Sequence, residues 1–193
     1  MLKNSLLLIL ILVAFGCGKK VDFIPKAKGY PRIDLPKHSY SAIQEKHPFI
    51  FEMANEAVLL KDTYAKAGDH WVIIKYPKLN ATIQLTYYPL NNDLKKLQGI
   101  VNDAYKLTSK HQIRAYSIDE KIYTAPNGTR ATVLNITGNV PSQMQFFTTD
   151  TTKNYLRGAI YLQTATDNDS LAPVIDYLKT DCLHLINTLK WRK

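Results

Sequence analysis

The chain has 193 residues, of which 46% are apolar, 21% charged and 10% aromatic, with 8 glycines and 9 prolines. That composition excludes a disordered, collagenous or coiled-coil chain, and the length fits one domain with a substantial core. The net charge of +9 suits an anionic partner without choosing between nucleic acid and membrane, and no repeat of solenoid or propeller period is visible.

The first 16 residues read as a secretion signal: Lys3 gives a positive start, and Leu6 to Phe15 is an unbroken apolar run of ten residues. Spanning a bilayer takes about 20 apolar residues, so this run suits the hydrophobic region of a signal peptide better than a membrane anchor. It ends in Val13-Ala14-Phe15-Gly16-Cys17, which resembles a bacterial lipobox, although Ala14 stands where leucine is usual. Cys17 is then the lipid-attachment residue and first residue of the mature chain. Cys182 is left without a disulfide partner and falls on the apolar stripe of the last predicted helix, as a buried small hydrophobe would.

Residues 17–46 contain Pro25, Pro31 and Pro36, with Pro48 just beyond, and show no clear strand or helix period. They read as a basic, proline-containing tether and lead-in segment. Lys19, Lys20, Lys26, Lys28, Arg32 and Lys37 place positive charge where a lipid would hold the chain to a membrane. Phe49 to Lys61 fits both strand and helix periods. Trp71–Tyr76 and Thr82–Tyr88 read as a hairpin or meander because they are rich in β-branched and aromatic residues. Asn91-Asn92-Asp93 offers a cap for a helix running to about Lys110, with Leu94, Leu97, Val101, Ala104 and Leu107 on one side.

Strand signals follow at Ile113–Tyr123, Ala131–Thr137, Gln143–Thr149 and Tyr155–Gln163. Asn127-Gly128 predicts a tight hairpin turn with positive φ at both positions. Asp169 or Ser170 is expected to cap a closing helix, with Pro173 in its first turn. Leu171, Val174, Ile175, Leu178, Cys182, Leu185, Ile186 and Leu189 keep the i, i+3, i+4, i+7 pattern of an amphipathic helix laid on a sheet. The expected fold is α+β: a single, mainly antiparallel sheet flanked by helices, with the C-terminal amphipathic helix packed on it. Residues 47–193 form the single globular domain.

The nucleophile elbow, the phosphate-binding loops and the zincin motif are all missing from the sequence. No two of His38, His47, His70, His111 and His184 stand at helical ligand spacing, and the Asp167-Asn168-Asp169 start of a calcium loop lacks its glycine and closing glutamate. The chain is therefore read as non-enzymatic, with no metal and no cofactor beyond the lipid on Cys17. A hydrolase built from His111, Asp150 and a serine stays an alternative, because triads are defined by geometry. Positive charge concentrated in the tether, without a stacking face or recognition helix, gives no sign of nucleic-acid binding.

Gly138-Asn139-Val140-Pro141-Ser142-Gln143-Met144-Gln145-Phe146-Phe147-Thr148-Thr149-Asp150 followed by Tyr155-Leu156-Arg157-Gly158-Ala159-Ile160-Tyr161 is polar and specifically ordered. Together with Gly29 to Pro36, Tyr76-Pro77, Asn80 to Ile83, His111, Asn168 to Leu171 and Thr188 to Trp191, this stretch closely resembles the gliding-motility lipoprotein GldD family of the Bacteroidetes. The resemblance runs over nearly all of the mature chain. It implies an outer-membrane lipoprotein facing the periplasm, a non-enzymatic accessory factor for gliding motility and type IX protein secretion that supports other lipoproteins or ring proteins of that machinery. Only Cys17 carries a role over from the family. The residues themselves keep a second reading open, capture of a cell-envelope polymer such as peptidoglycan or glycan by a surface drawn from 12 tyrosines.

Strands Gln143–Thr149 and Tyr155–Gln163 should form a hairpin that sends Phe146 and Phe147 to opposite faces, one of them beneath the last helix. Gln145, Asp150 and Arg157 are candidates for a polar cluster, since a half-buried arginine needs a carboxylate or several acceptors. Asn139 and His111 complete the candidate interaction or structural group, with His111 placed at a helix end.

Overall fold

A computed structural model describes residues 33–163 and 170–192. The signal segment, Cys17 and the first part of the tether lie outside the described residues, as do Asn168 and Asp169. The elements in chain order are β1 (Tyr40–Ala42), β2 (Phe49–Ile50), β3 (Glu52–Ala54), β4 (Val58–Lys61), β5 (Val72–Tyr76), a 3-10 turn (Pro77–Leu79), β6 (Ala81–Pro89), α1 (Leu94–Ser109), β7 (Ala115–Thr124), β8 (Arg130–Gly138), β9 (Met144–Thr149), β10 (Asn154–Leu162), α2 (Ala172–Thr188) and β11 (Lys190–Trp191).

Two meanders share one seven-stranded antiparallel sheet in the order β4-β5-β6-β10-β9-β8-β7. The first is β4–β6. Helix α1 then carries the chain to the far edge, and β7 to β10 step back until β10 pairs with β6. Two short ribbons, β1 with β3 and β11 with β2, lie outside the large sheet, so the α+β class holds with one dominant sheet and two satellite pairs. Phe49–Lys61, which fits both periods in sequence, is three short strands.

Side-chain alternation assigns the two faces. Phe146, Leu156, Ile160, Ile83, Leu85 and Ile74 point to the face covered by α2 and join one cluster with Val174, Leu178, Cys182, Leu185 and Ile186. Phe147, Tyr155 and Leu134 point the other way and pack with Leu97, Ile100, Val101 and Ala104 of α1. The neighbouring phenylalanines thus divide between the two layers, as the period of two requires. The predicted stripe of α2 is the buried one, with Val174, Ile175, Leu178, Cys182, Leu185, Ile186 and Leu189 all inside.

Four local expectations are corrected. On α1, Leu94 is 69% and Leu107 43% exposed; Leu97, Val101 and Ala104 face inward as expected, joined by Ile100 and Thr108, because Leu94 and Leu107 fall on the two flanks of that stripe. At the β7–β8 turn only Gly128 has positive φ. Pro126, with its fixed φ, occupies the preceding corner, and the loop closes by Gly128 N–H to the Ala125 carbonyl and Ala125 N–H to the Thr129 carbonyl, a longer turn than a two-residue hairpin. Helix α2 takes Leu171 as its N-cap with no side-chain cap bond, so Ser170 does not fill that role. The globular domain reaches back before residue 47, into the tether and lead-in segment: Ile43 is buried, Ile33 and Leu35 pack on the core, and Tyr40–Ala42 pairs with β3. Asp93 does cap α1, its side chain accepting from the Lys96 N–H at 3.0 Å.

Gly158 on β10 lies where a β-carbon would overlap the fully buried Phe146 ring. Replacing it with alanine should therefore cost about 1–3 kcal/mol by overpacking. A lower urea midpoint with an unchanged m-value is the expected result for Gly158→Ala.

Candidate functional site

The five residues singled out by sequence fall into three separate places. Asp150 closes the β9–β10 turn. Its Oδ1 accepts from the backbone N–H groups of Thr152, Lys153 and Asn154 at 3.0, 2.7 and 2.8 Å, and its Oδ2 accepts from Asn154 Nδ2 at 2.6 Å. Partial burial opposes ionisation, but the bonds from Asn154, Lys153 and Thr152 outweigh it and hold the carboxyl below its ordinary value of 3.8. The next residue, Thr151, sits at φ 66°, a conformation that a β-branched residue adopts only when its surroundings enforce it.

Arg157 projects from β10 to the opposite side of the strand from Asn154, under α1. Its guanidinium donates to Gln145 Oε1, and the Thr108 hydroxyl of α1 donates to the same oxygen at 3.0 Å. Among the described residues no carboxylate pairs with it, so the expected Asp150–Arg157 association is not formed. The physical reason is parity combined with the turn: the backbone amides of the β9–β10 turn occupy the Asp150 carboxylate before it can reach a neighbour. His111, just past the end of α1, joins the Arg157 group through charge, its pKa lowered by burial and then by the nearby guanidinium. Asn139 is exposed in the β8–β9 loop and makes no hydrogen bond to the other four among the described residues.

The sequence reading passed over a buried carboxylate on α2. Asp181 Oδ1 accepts from the Tyr40 hydroxyl at 2.8 Å and lies 2.7 Å from His38 Nδ1, while its Oδ2 accepts from the Tyr76 hydroxyl at 2.9 Å. Burial and this carboxylate push the Tyr76 phenol far up, so it stays a donor at any working pH. Stacking reinforces the contact, with His38 on Tyr177 at 4.2 Å and Tyr40 on His184 at 3.6 Å between ring centroids. The available signal was a lone acid one step from Cys182 inside an otherwise apolar stripe.

Two adjoining clefts, of 720 and 900 Å³, share Tyr87 and Pro89. The first is walled by Trp71, Tyr64 and Tyr88 and bordered by Asp69, His70 and Lys66. Trp71 is pinned: its Nε1 donates to the Tyr87 carbonyl at 2.9 Å, and its ring stands edge-on to Tyr88 at 5.5 Å. His47 Nδ1 and His70 Nδ1 are 3.2 Å apart; one imidazole donates to the other, and burial followed by His70 lowers the His47 pKa. The second cleft is lined by Asn91, Asn92, Asp150, Lys153, Trp191 and Arg192 among others. Strand periodicity placed Tyr87 and Tyr88 on opposite faces, but nothing in it assembled Tyr64, Trp71 and Trp191 around one depression. Among the described residues no three histidines, cysteines or acids gather as a metal site.

The family model described as "Gliding motility lipoprotein GldD" matches residues 20–191. No curated protein matches the chain. Among solved structures, the solution structure of the cyanobacterial PsbP protein CyanoP from Synechocystis sp. PCC 6803 is similar over 82% of this chain and 95% of that chain, at 12% identity and a TM-score of 0.45.

Asp181→Ala should strand the buried Tyr76 hydroxyl and release Tyr40 and His38, costing at least about 1–3 kcal/mol and loosening the β1 segment. Faster amide exchange in residues 38–43 than in β10 would report it. For Asp150 the folded pKa lies below the unfolded one, so its stabilisation is complete above the ordinary carboxylate value and is lost as pH falls through the depressed folded value. Acid titration of stability should accordingly show a shallower fall below pH about 4 for Asp150→Asn than for the parent chain.

Proposed function

The chain belongs to the gliding motility lipoprotein GldD family, and from that premise we propose that it is a periplasm-facing, outer-membrane accessory factor for gliding and type IX protein secretion. The observation that carries this proposal is the family match over residues 20–191, which starts just after Cys17 and takes in every described residue but Arg192. The lipid would sit on Cys17, and the domain would act without catalysis, by supporting the assembly or stability of other lipoproteins or ring proteins.

The geometry suits a short anchor. From Ile33 onward the chain is packed on the core, and Tyr40 and His38 are tied to Asp181. Residues 17–33 could reach at most about 60 Å even if fully extended, so a lipid on Cys17 would keep the domain beside its membrane. Among the described residues no helix is long and apolar enough to cross a bilayer. A face for partners is available along α1, the loop after it and β7, where Leu94, Leu107, Ile122, Ile113 at 91% and Tyr116 at 82% are exposed. Exposed large apolar side chains are what protein contacts use when they form a contiguous patch.

Deleting the gene should abolish spreading on agar and secretion of type IX cargo, with both restored by the parent chain. Cross-linked membranes should yield gliding or type IX components with a C-terminally tagged copy, and fewer of them with Cys17→Ala or with Ile113→Glu plus Tyr116→Glu. A deletion strain that spreads and secretes normally contradicts the proposal.

A further inference from the structure

The two clefts form one groove, and its chemistry differs from that of the apolar α1–β7 face. Its first half offers rigid aromatic surface. Trp71 has spent its only donor on the Tyr87 carbonyl, and its indole packs so closely on Gly68 that a β-carbon there would lie 3.0 Å from Nε1. Tyr64 is 68% exposed beside it. The Trp71 face, held in this way, can stack on the C–H surface of a pyranose without a further ordering cost, because that ring is already immobilised.

The second half offers planar polar groups on an enforced backbone. Asn91 and Asn92 have φ of 55° and 61°, and Thr151 across from them has φ of 66°. Among the described residues only one other non-glycine, Asn80, has positive φ, so this conformation is concentrated at the groove. Main-chain bonds fix it, with Leu90 N–H donating to the Lys153 carbonyl and Asn92 N–H to the Thr152 carbonyl, both at 2.7 Å. The Asn91 and Asn92 side-chain amides are exposed and present both a donor and an acceptor, the combination that vicinal hydroxyls require. Backbone held in sparsely populated regions gathers where a ligand is positioned.

Charge selects among sugars. Lys66, Lys153 and Arg192 line the groove and are exposed, against the carboxylates of Asp69 and Asp150. The Asp150 carboxylate keeps its charge while accepting from its own turn, so the groove sets three exposed cations against two carboxylates and stays net positive.

We propose that the groove running from Tyr64 and Trp71 past Asn91 and Asn92 to Arg192 binds a carboxylated glycan chain, with pyranose rings stacked on the aromatic end and sugar carboxylates at Lys153 and Arg192. This site stands on its own residues and does not depend on the secretion role. Calorimetric titration of the full lipidated protein in detergent micelles tests it with four probes: hexagalacturonate, peptidoglycan glycan strands freed of stem peptides by an amidase so that each lactyl carboxylate is free, chitohexaose, and polyglutamate. One or both carboxylated glycans should bind, and which of them does so identifies the source of the acid. Chitohexaose should bind at least about tenfold more weakly, and polyglutamate should not compete. Tyr64→Ala, and Lys153→Ala with Arg192→Ala, alter exposed side chains; each should weaken binding about tenfold or more, a loss of roughly 1.4 kcal/mol, with the melting temperature unchanged. Absence of heat with both acidic glycans, equal affinity for chitohexaose, competition by polyglutamate, or full affinity in both variants would overturn the proposal.

Discussion

Pairing of β10 with β6, from Asn154 opposite Pro89 to Leu162 opposite Ala81, turns two meanders into a single sheet and fixes nearly everything around it. A central strand with a helix packed over each face is buried on both, so it must supply apolar side chains in both directions. β10 does so with Leu156 and Ile160 toward α2 and Tyr155 and Ala159 toward α1. Arg157 is the exception on the α1 side, tolerated because Gln145 offers an acceptor within the same layer. Gly158 lets the Phe146 ring cross the strand where any side chain would collide. The same register brings the β9–β10 turn against Leu90 and Asn92, and that juxtaposition shapes the second cleft.

Two carboxylates show opposite solutions to the cost of burying charge. Asp150 is met by amide N–H groups of its own turn, a local arrangement that a short sequence can form unaided. Asp181 is met by a histidine and two tyrosines from distant parts of the chain, so it forms only when β1, β5 and α2 are assembled. The first rigidifies a hairpin turn and one wall of the groove. The second joins the lead-in strand to the closing helix, so the N-terminal side of the domain is held by a polar contact as well as by apolar packing.

These anchors separate the surfaces available for function. A lipoprotein of the gliding-motility family needs a fixed attachment at one point and contact surfaces elsewhere. The Asp181 contacts stand near the start of the described chain, α1 and β7 carry exposed apolar side chains, and the aromatic and cationic groove lies where the two meanders meet. Because the sheet is common to all three, a ligand in the groove and a partner on α1 would act on one rigid body rather than on linked modules.

Much of the fold was legible because short-range periodicity dictates it. The α2 stripe, the Asp93 cap, the β5–β6 hairpin and the division of Phe146 from Phe147 each follow from spacing within a few residues. The corrected points share a different physical cause. Leu94 and Leu107 lie on the flanks of the α1 stripe, where burial depends on what the neighbouring layer reaches; the turn at Asn127 depends on Pro126 before it and on the Leu189 carbonyl, which accepts from the Asn127 amide at 2.9 Å. Asp150 and Arg157 suit each other in charge, yet the turn amides engage the acid first and strand parity turns the arginine away. Asp181 and the groove are products of residues more than a hundred positions apart, such as Tyr40 with Asp181 and Trp71 with Arg192. Local pattern thus determined most of the elements, the inward face of α2 and the sequence motifs that resemble the family, whereas only the tertiary structure decided which polar and aromatic groups meet, because those meetings are set by strand pairing and helix docking and not by any spacing along the chain.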